Sequence, residues 1–228
     1  MAKNEEPKTI YVVDLDNVMC DLDSFFYKLV YVVLGRQLDY EEFINRSTFS
    51  LEECGMLDPA DLNRVIAAME ILGGYTSLDV FPGASELING ISKDGSKLVY
   101  LTSREPSNKV IKDTLEWFMR SKLAAPIVRS SLAISEIGSS TFEIVFEIDK
   151  SETLKTVKTG DKTKDMRIVY VEDDPQYVRM AGVVGVDKIY TFDYSYAREL
   201  DPEDNILMVE SPAAGGLLQI AENEGLKI

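Results

Sequence analysis

The 228-residue chain predicts an α/β fold, a parallel sheet core that carries a small helical insertion after its first strand. Three observations lead there. Runs rich in β-branched and aromatic residues recur at 9–13 (TIYVV), 97–101 (KLVYL) and 167–171 (RIVYV), each short and apolar enough to be a buried strand. Segments of helical spacing separate them, and strands alternating with helices imply a parallel sheet with right-handed crossovers. Each run also gives way to polar residues at its carboxyl end, the edge where open α/β sheets bind ligands.

Taken in order, the first strand ends at Asp14-Leu15-Asp16. Residues 20–79 then read as a helical insertion. Phe25, Phe26, Leu29, Val30 and Val33 share one helical face, and Asp58-Pro59-Ala60-Asp61 offers an N-cap, a proline at the first helical position and an early acid. From there Leu62, Val65, Ile66, Met69 and Leu72 keep an apolar face until Gly73-Gly74 stops the helix. Pro82-Gly83 opens a short helix through Ile91, and the second strand runs into Thr102-Ser103-Arg104. Residues 108–121 form an amphipathic helix with Val110, Ile111, Thr114, Leu115 and Phe118 inward.

Beyond it, Phe142, Ile144, Phe146 and Ile148 alternate with Glu143, Val145 and Glu147, which predicts a half-exposed strand. Asp149 and Glu152 have capping-box spacing, so Lys150 belongs to the first turn of the next helix. The third buried strand ends at Glu172-Asp173-Asp174-Pro175, followed by a helix through Met180, a strand at 188–192 and a C-terminal helix starting at Ser211-Pro212.

Composition narrows the function. With 45% hydrophobic and 28% charged residues the chain matches an ordinary soluble protein. Its 24 basic against 39 acidic residues give a net charge of -15, which disfavours nucleic acid and anionic membrane surfaces as partners. The first ten residues are charged and lack the apolar core of a signal peptide, and the apolar stretch 25–34, broken by Lys28, is too short to span a bilayer. Cys20 and Cys54 make neither a disulfide framework nor a zinc spacing, which suits a reducing, cytoplasmic setting. Histidine is absent, so imidazole triads and imidazole metal sites are excluded, and proton transfer falls to carboxylates, Lys, Tyr or Cys.

If the three buried strands are neighbours, Asp14 and Asp16, Thr102 and Ser103, and Glu172 and Asp173 converge on one crevice. Carboxylates from two strand ends suit Mg²⁺, a hard cation that takes oxygen ligands together with phosphate oxygens. The hydroxyls of Thr102 and Ser103 and the Lys150 ammonium would balance the charge of a phosphoryl group.

Four segments together resemble the haloacid dehalogenase superfamily. The stretch 12–18 (VVDLDNV) looks like its first motif, 99–103 (VYLTS) its second, Lys150 its third and 168–174 (IVYVEDD) its fourth. The resemblance implies a Rossmann-like core over 1–19 and 80–228, with 20–79 as a small cap. It further implies a phosphatase. Asp14 would be the nucleophile and Asp16 the proton carrier, with its backbone carbonyl on the metal. Asp173 would hold Mg²⁺ directly and Glu172 directly or through water, Thr102 would bind the phosphoryl group, and Lys150 would neutralise both it and the nucleophile. The segments FPGASELI and TSREP resemble the nucleotidase and nucleic-acid-end phosphatase branches most.

Plainer readings stand beside these. Asp14 and Asp16 could be solvated turn residues, although two like charges ending a buried strand are costly without a cation. Thr102 and Ser103 could cap a loop, Lys155 rivals Lys150, and Asp174 fits a helix cap. Phe25 could stack on a nucleobase or pack the cap, and Arg104 could touch substrate or form a surface ion pair. The expected activity is hydrolysis of a small phosphorylated substrate, a nucleoside monophosphate first. Alternatives are a nucleic-acid terminal phosphatase and a phospholigand-binding protein without turnover.

Overall fold

The computed structural model describes residues 9–129, 142–161, 163–198, 200 and 205–228. Of the segments read above, 1–8 and the start of the tail at 201–204 lie outside them. The strands are β1 (Thr9–Val13), β2 (Lys97–Thr102), β3 (Ile127–Arg129), β4 (Phe142–Phe146), β5 (Arg167–Val171), β6 (Lys188–Phe192) and β7 (Ile206–Val209). They form one parallel sheet in the order β3-β4-β2-β1-β5-β6-β7. Between β1 and β2 stand α1 (Leu22–Leu34), α2 (Tyr40–Ile44), α3 (Pro59–Ile71) and α4 (Ala84–Asp94). The others are α5 (Asn108–Arg120), α6 (Ser151–Thr159), α7 (Pro175–Val184) and α8 (Gly216–Asn223).

Helices cover both faces of the sheet, which explains why its central strands are continuously apolar rather than alternating. On one face Tyr11, Val13, Tyr100 and Val171 meet Leu87 of α4, Val110 and Trp117 of α5, and Leu217 and Ile220 of α8. On the other, Ile10, Val12, Val99 and Ile168 meet Leu154 and Val157 of α6 and Val178 and Ala181 of α7. Burying one such side chain contributes about 1.5–3 kcal/mol, so the two layers hold β1 firmly at the centre. The insertion is helical as expected, and Asp58 caps α3 by accepting from the Asp61 N–H at 2.8 Å. Among the described residues no helix is long and apolar enough to cross a membrane.

Several local expectations change. The strand at 142–148 stops at Phe146 and is not half-exposed, because β3 and helices on both faces enclose it. Glu143 is buried there, with Arg129 3.5 Å away to answer its charge. The short strands β3 and β7 carry little periodic signal. Trp117, absent from the inward set read for α5, is buried, with its indole N–H donating to the Leu78 carbonyl at 3.0 Å. Asp149 accepts from the Ser151 N–H instead of forming the capping box, so Lys150 occupies the N-cap position rather than the first turn of α6. Pro212 opens a 3₁₀ turn, and α8 proper begins at Gly216.

Candidate active site

Because β1 lies between β2 and β5, the three polar strand ends are neighbours: Val13 is paired with Tyr100 on one side and Val171 on the other. The Asp14 N–H donates to the Val171 carbonyl at 3.0 Å, extending the ladder one residue and fixing the Asp14 side chain at the sheet edge. The chain then turns sharply. The Leu15 carbonyl accepts from the N–H groups of Met19 (2.8 Å) and Cys20 (3.0 Å), and Asn17 adopts a left-handed backbone with φ 57°. Asparagine tolerates that region because its short amide bonds locally. Here the Asn17 amide oxygen accepts from the Asp23 N–H at 3.0 Å, tying the turn to the start of α1.

Lys150 is the hub. Its ammonium lies 2.7 Å from Asp14 Oδ1 and 2.7 Å from Glu172 Oε2, and it is 1% exposed. Lys155, the rival, is on the surface and pairs with Glu152. Burial works against the Lys150 charge, but Asp14 and Glu172 outweigh it and hold its pKa above the ordinary lysine value. Glu172 is bonded at both oxygens: Oε2 accepts from Lys150 and the Tyr170 hydroxyl, and Oε1 from the N–H groups of Asp173 (3.2 Å) and Asp174 (3.1 Å).

Asp173 completes a buried triplet with Asp14 and Glu172 whose ligand atoms lie within 4.8 Å of one another. Burial pushes the Asp14 carboxyl up to about 8, against the pull of Lys150, and Glu172 adds to the rise. Asp173 is raised well above the carboxylate range by burial, then by Glu172 and Asp14. Three acids facing one ammonium leave the donor set short of positive charge. An all-oxygen cluster of this kind fits Mg²⁺, and proximity of a divalent ion would favour the ionised carboxylates.

The Tyr196 hydroxyl donates to Asp173 Oδ2 at 3.0 Å, and its ring stacks on Tyr194, whose hydroxyl donates to the Asn17 carbonyl at 2.9 Å. The Arg46 guanidinium lies 4.7 Å from the Tyr196 ring centroid and pairs with Asp23 at 2.8 Å. This loop of contacts ties the helical insertion to the acidic triplet. Both tyrosines and Arg46 escaped sequence reading, because they lie far from any motif and no short-range pattern marks them.

The Asp16 side chain belongs to a different group from the triplet. Arg104 donates from Nη2 to Asp16 Oδ1 at 2.6 Å and from Nε to Oδ2 at 2.9 Å, while its Nη1 donates to Thr114 at 2.9 Å and Tyr75 covers its face. Arg104 lines the cleft, yet its donors are committed within the protein, so neither a free substrate contact nor a surface ion pair describes it. Thr102 is buried, with Oγ1 accepting from the Arg104 N–H at 3.3 Å; Ser103, exposed, lines the cleft. Asp174 caps α7 through the Gln176 N–H at 2.8 Å, as expected.

These groups form the floor of a cleft of about 360 Å³. Its upper wall comes from the insertion: Leu22, Phe26, Phe49, Ile66, Met69 and Tyr75. Phe25 is not in that wall. It packs beside Gly74, where an added Cβ would stand 2.9 Å from its ring, and against the core. One step along a helix turns a side chain by about 100°, which aims Phe26 at the cleft and Phe25 into the insertion.

No protein-family model matches the chain, and no curated protein matches it in sequence. Solved structures do match. A HAD family hydrolase from Deinococcus radiodurans, with bound phosphate and sodium, superimposes with TM-score 0.58 at 12% identity over 98% of this chain and 99% of that one. A haloacid dehalogenase-like hydrolase from Streptococcus pneumoniae gives TM-score 0.62 at 11% identity over 96% and 98%. CbbY from Rhodobacter sphaeroides in complex with xylulose bisphosphate gives 0.53 at 18% over 97% and 100%. The fold is therefore that of the haloacid dehalogenase hydrolases, as the motifs implied. Its nucleotidase-like branch finds no support among these neighbours.

Proposed function

We propose that the chain is a magnesium-dependent phosphomonoesterase in which Asp14 receives the phosphoryl group. The observation that carries this reading is the Lys150 ammonium bridging Asp14 and Glu172, beside Asp173, on the floor of a cleft at the carboxyl edge of β1. Asp14 and Asp173 would hold Mg²⁺ together with the Asp16 backbone carbonyl, with Glu172, both of whose oxygens already accept hydrogen bonds, acting directly or through water, and the bound ion supplies charge neutralisation at phosphoryl oxygens. Asp14, held by Lys150, attacks phosphorus and forms an aspartyl-phosphate as the ester P–O bond breaks. Asp16, once released from the Arg104 grip on both its oxygens and protonated, gives its proton to the leaving oxygen. It then takes one from the water that attacks the same phosphorus, freeing phosphate and restoring Asp14. Lys150 offsets the charge of both nucleophile and phosphoryl group, and the Thr102 and Ser103 segment supplies donors to phosphoryl oxygens.

Residues 20–79 act as the cap over a core made of 1–19 and 80–228, excluding water during transfer. Within the small phosphorylated metabolites a nucleoside monophosphate is the substrate we favour, because Phe26, Phe49 and Tyr75 offer an aromatic surface to a base. Removal of a terminal phosphate from nucleic acid is disfavoured by the charge of -15. A reducing, cytoplasmic compartment suits the free thiols of Cys20 and Cys54.

The test is phosphate release from para-nitrophenyl phosphate, with and without Mg²⁺, by the wild type and Asp14→Asn. The wild type is expected to need Mg²⁺, and the variant to lose activity on the order of 10³-fold or more. Equal rates in the two proteins would reject Asp14 as nucleophile.

A further inference from the structure

We infer that the cleft discriminates against a second anionic group, so that the substrate is a phosphomonoester whose organic part is apolar or uncharged, neither a bisphosphate nor a phosphorylated carboxylic acid. This inference rests on the phosphatase reading of the same site. Its first support is the state of the cations. Among the described residues, Arg104 and Lys150 are the only basic ones lining the cleft, against seven carboxylates. Arg104 is 4% exposed and has placed its donors on Asp16, Thr114 and Cys20 Sγ (3.4 Å). Lys150 is held between Asp14 and Glu172, leaving it to the phosphoryl end.

The second support is the wall that the organic part would meet. Leu22, Phe26, Phe49, Ile66 and Met69 are apolar, and the polar groups interspersed with them include the carboxylates of Glu70 and Glu105. Glu70 is half-buried, Glu105 is exposed, and neither forms an ion pair among the described residues. Recognition of a second phosphate or a carboxylate calls for an Arg or Lys able to reach it. Here such a group would instead meet hydrocarbon and like charge. Like charges a few ångströms apart near a protein surface repel enough to weaken binding about tenfold or more. The fold neighbour that binds xylulose bisphosphate therefore shares the sheet without being a guide to the ligand. A cleft of about 360 Å³ sits at the small end of ligand pockets, which suits one phosphate and a small organic part.

Non-hydrolysable phosphonates separate recognition from turnover. The full chain in Mg²⁺ is titrated calorimetrically with benzylphosphonate, para-carboxybenzylphosphonate and para-hydroxymethylbenzylphosphonate. The carboxylated probe is expected to bind at least about tenfold more weakly than the other two, and the Glu70→Gln/Glu105→Gln variant to shrink that gap to about threefold or less. A carboxylated probe that binds the wild type as tightly as its parent overturns the inference, and a gap unchanged in the double variant overturns its assignment to these carboxylates. Absence of aryl phosphate hydrolysis would remove the phosphatase reading alone, since the binding order is read without turnover.

Discussion

Arg104 grips both carboxylate oxygens of Asp16, Nη2 to Oδ1 at 2.6 Å and Nε to Oδ2 at 2.9 Å, with the Tyr75 ring centroid 4.3 Å from the guanidinium carbon. The pair joins two strand ends, because Asp16 follows β1 and Arg104 follows β2. Arg104→Met leaves a partly buried carboxylate without its partner and should destabilise the protein by about 3 kcal/mol, the low end for a broken buried pair because Asp16 keeps some solvent. At this chain length that is a melting-point drop of about 6–12 °C. Adding Asp16→Asn should recover part of the loss. An unchanged melting point in the single variant would show that the pair contributes nothing to stability.

Lys150 and Lys155 are five residues apart and differ entirely in surroundings. Lys150→Met should abolish aryl phosphate turnover, by about 10³-fold, since Asp14 loses its counter-charge at the reacting end. Lys155→Ala removes only a surface pair with Glu152 and should leave kcat within about twofold and stability within about 0.5 kcal/mol. Steady-state rates and urea unfolding decide between the two, and a comparable loss in both variants would contradict the assignment.

Tyr196 reaches Asp173 from outside the acidic triplet. Groups that orient a metal-binding carboxylate typically account for 10–100-fold in metal affinity. Tyr196→Phe should therefore raise the Mg²⁺ concentration for half-maximal activity by about that factor, with a smaller change in the rate at saturating Mg²⁺. An unaltered Mg²⁺ dependence would separate Tyr196 from the metal.

At the opposite end of the sheet Glu224 anchors the C-terminal helix, accepting from Tyr190 at 2.8 Å and pairing with Lys188 at 2.9 Å and with Arg167. Burial opposes its charge, but Arg167, Lys188 and Tyr190 outweigh it and lower its pKa from 4.5 to about 2. A carboxyl whose folded pKa is depressed contributes stability that is complete above pH 4.5 and is lost as pH falls towards 2. Glu224→Gln should cost about 2 kcal/mol at neutral pH, and the difference from wild type should close between pH 4.5 and 2. Urea denaturation across that range measures it, and a pH-independent difference would contradict the linkage.

The sequence by itself determined the buried strands, the helical insertion and the order of the motifs, because period and strand-end polarity are local properties. Thr9–Val13, Lys97–Thr102 and Arg167–Val171 were legible as strands from their apolar runs, and Asp14, Lys150, Glu172 and Asp173 as candidates from their places beside them. What only the tertiary structure decided was partnership. Arg104 is claimed by Asp16, Phe26 rather than Phe25 faces the cleft, and Tyr196 meets Asp173 from a loop beyond β6. Each depends on how separate segments are brought together across the sheet edge, and pair distances between distant residues leave no periodic trace in either segment.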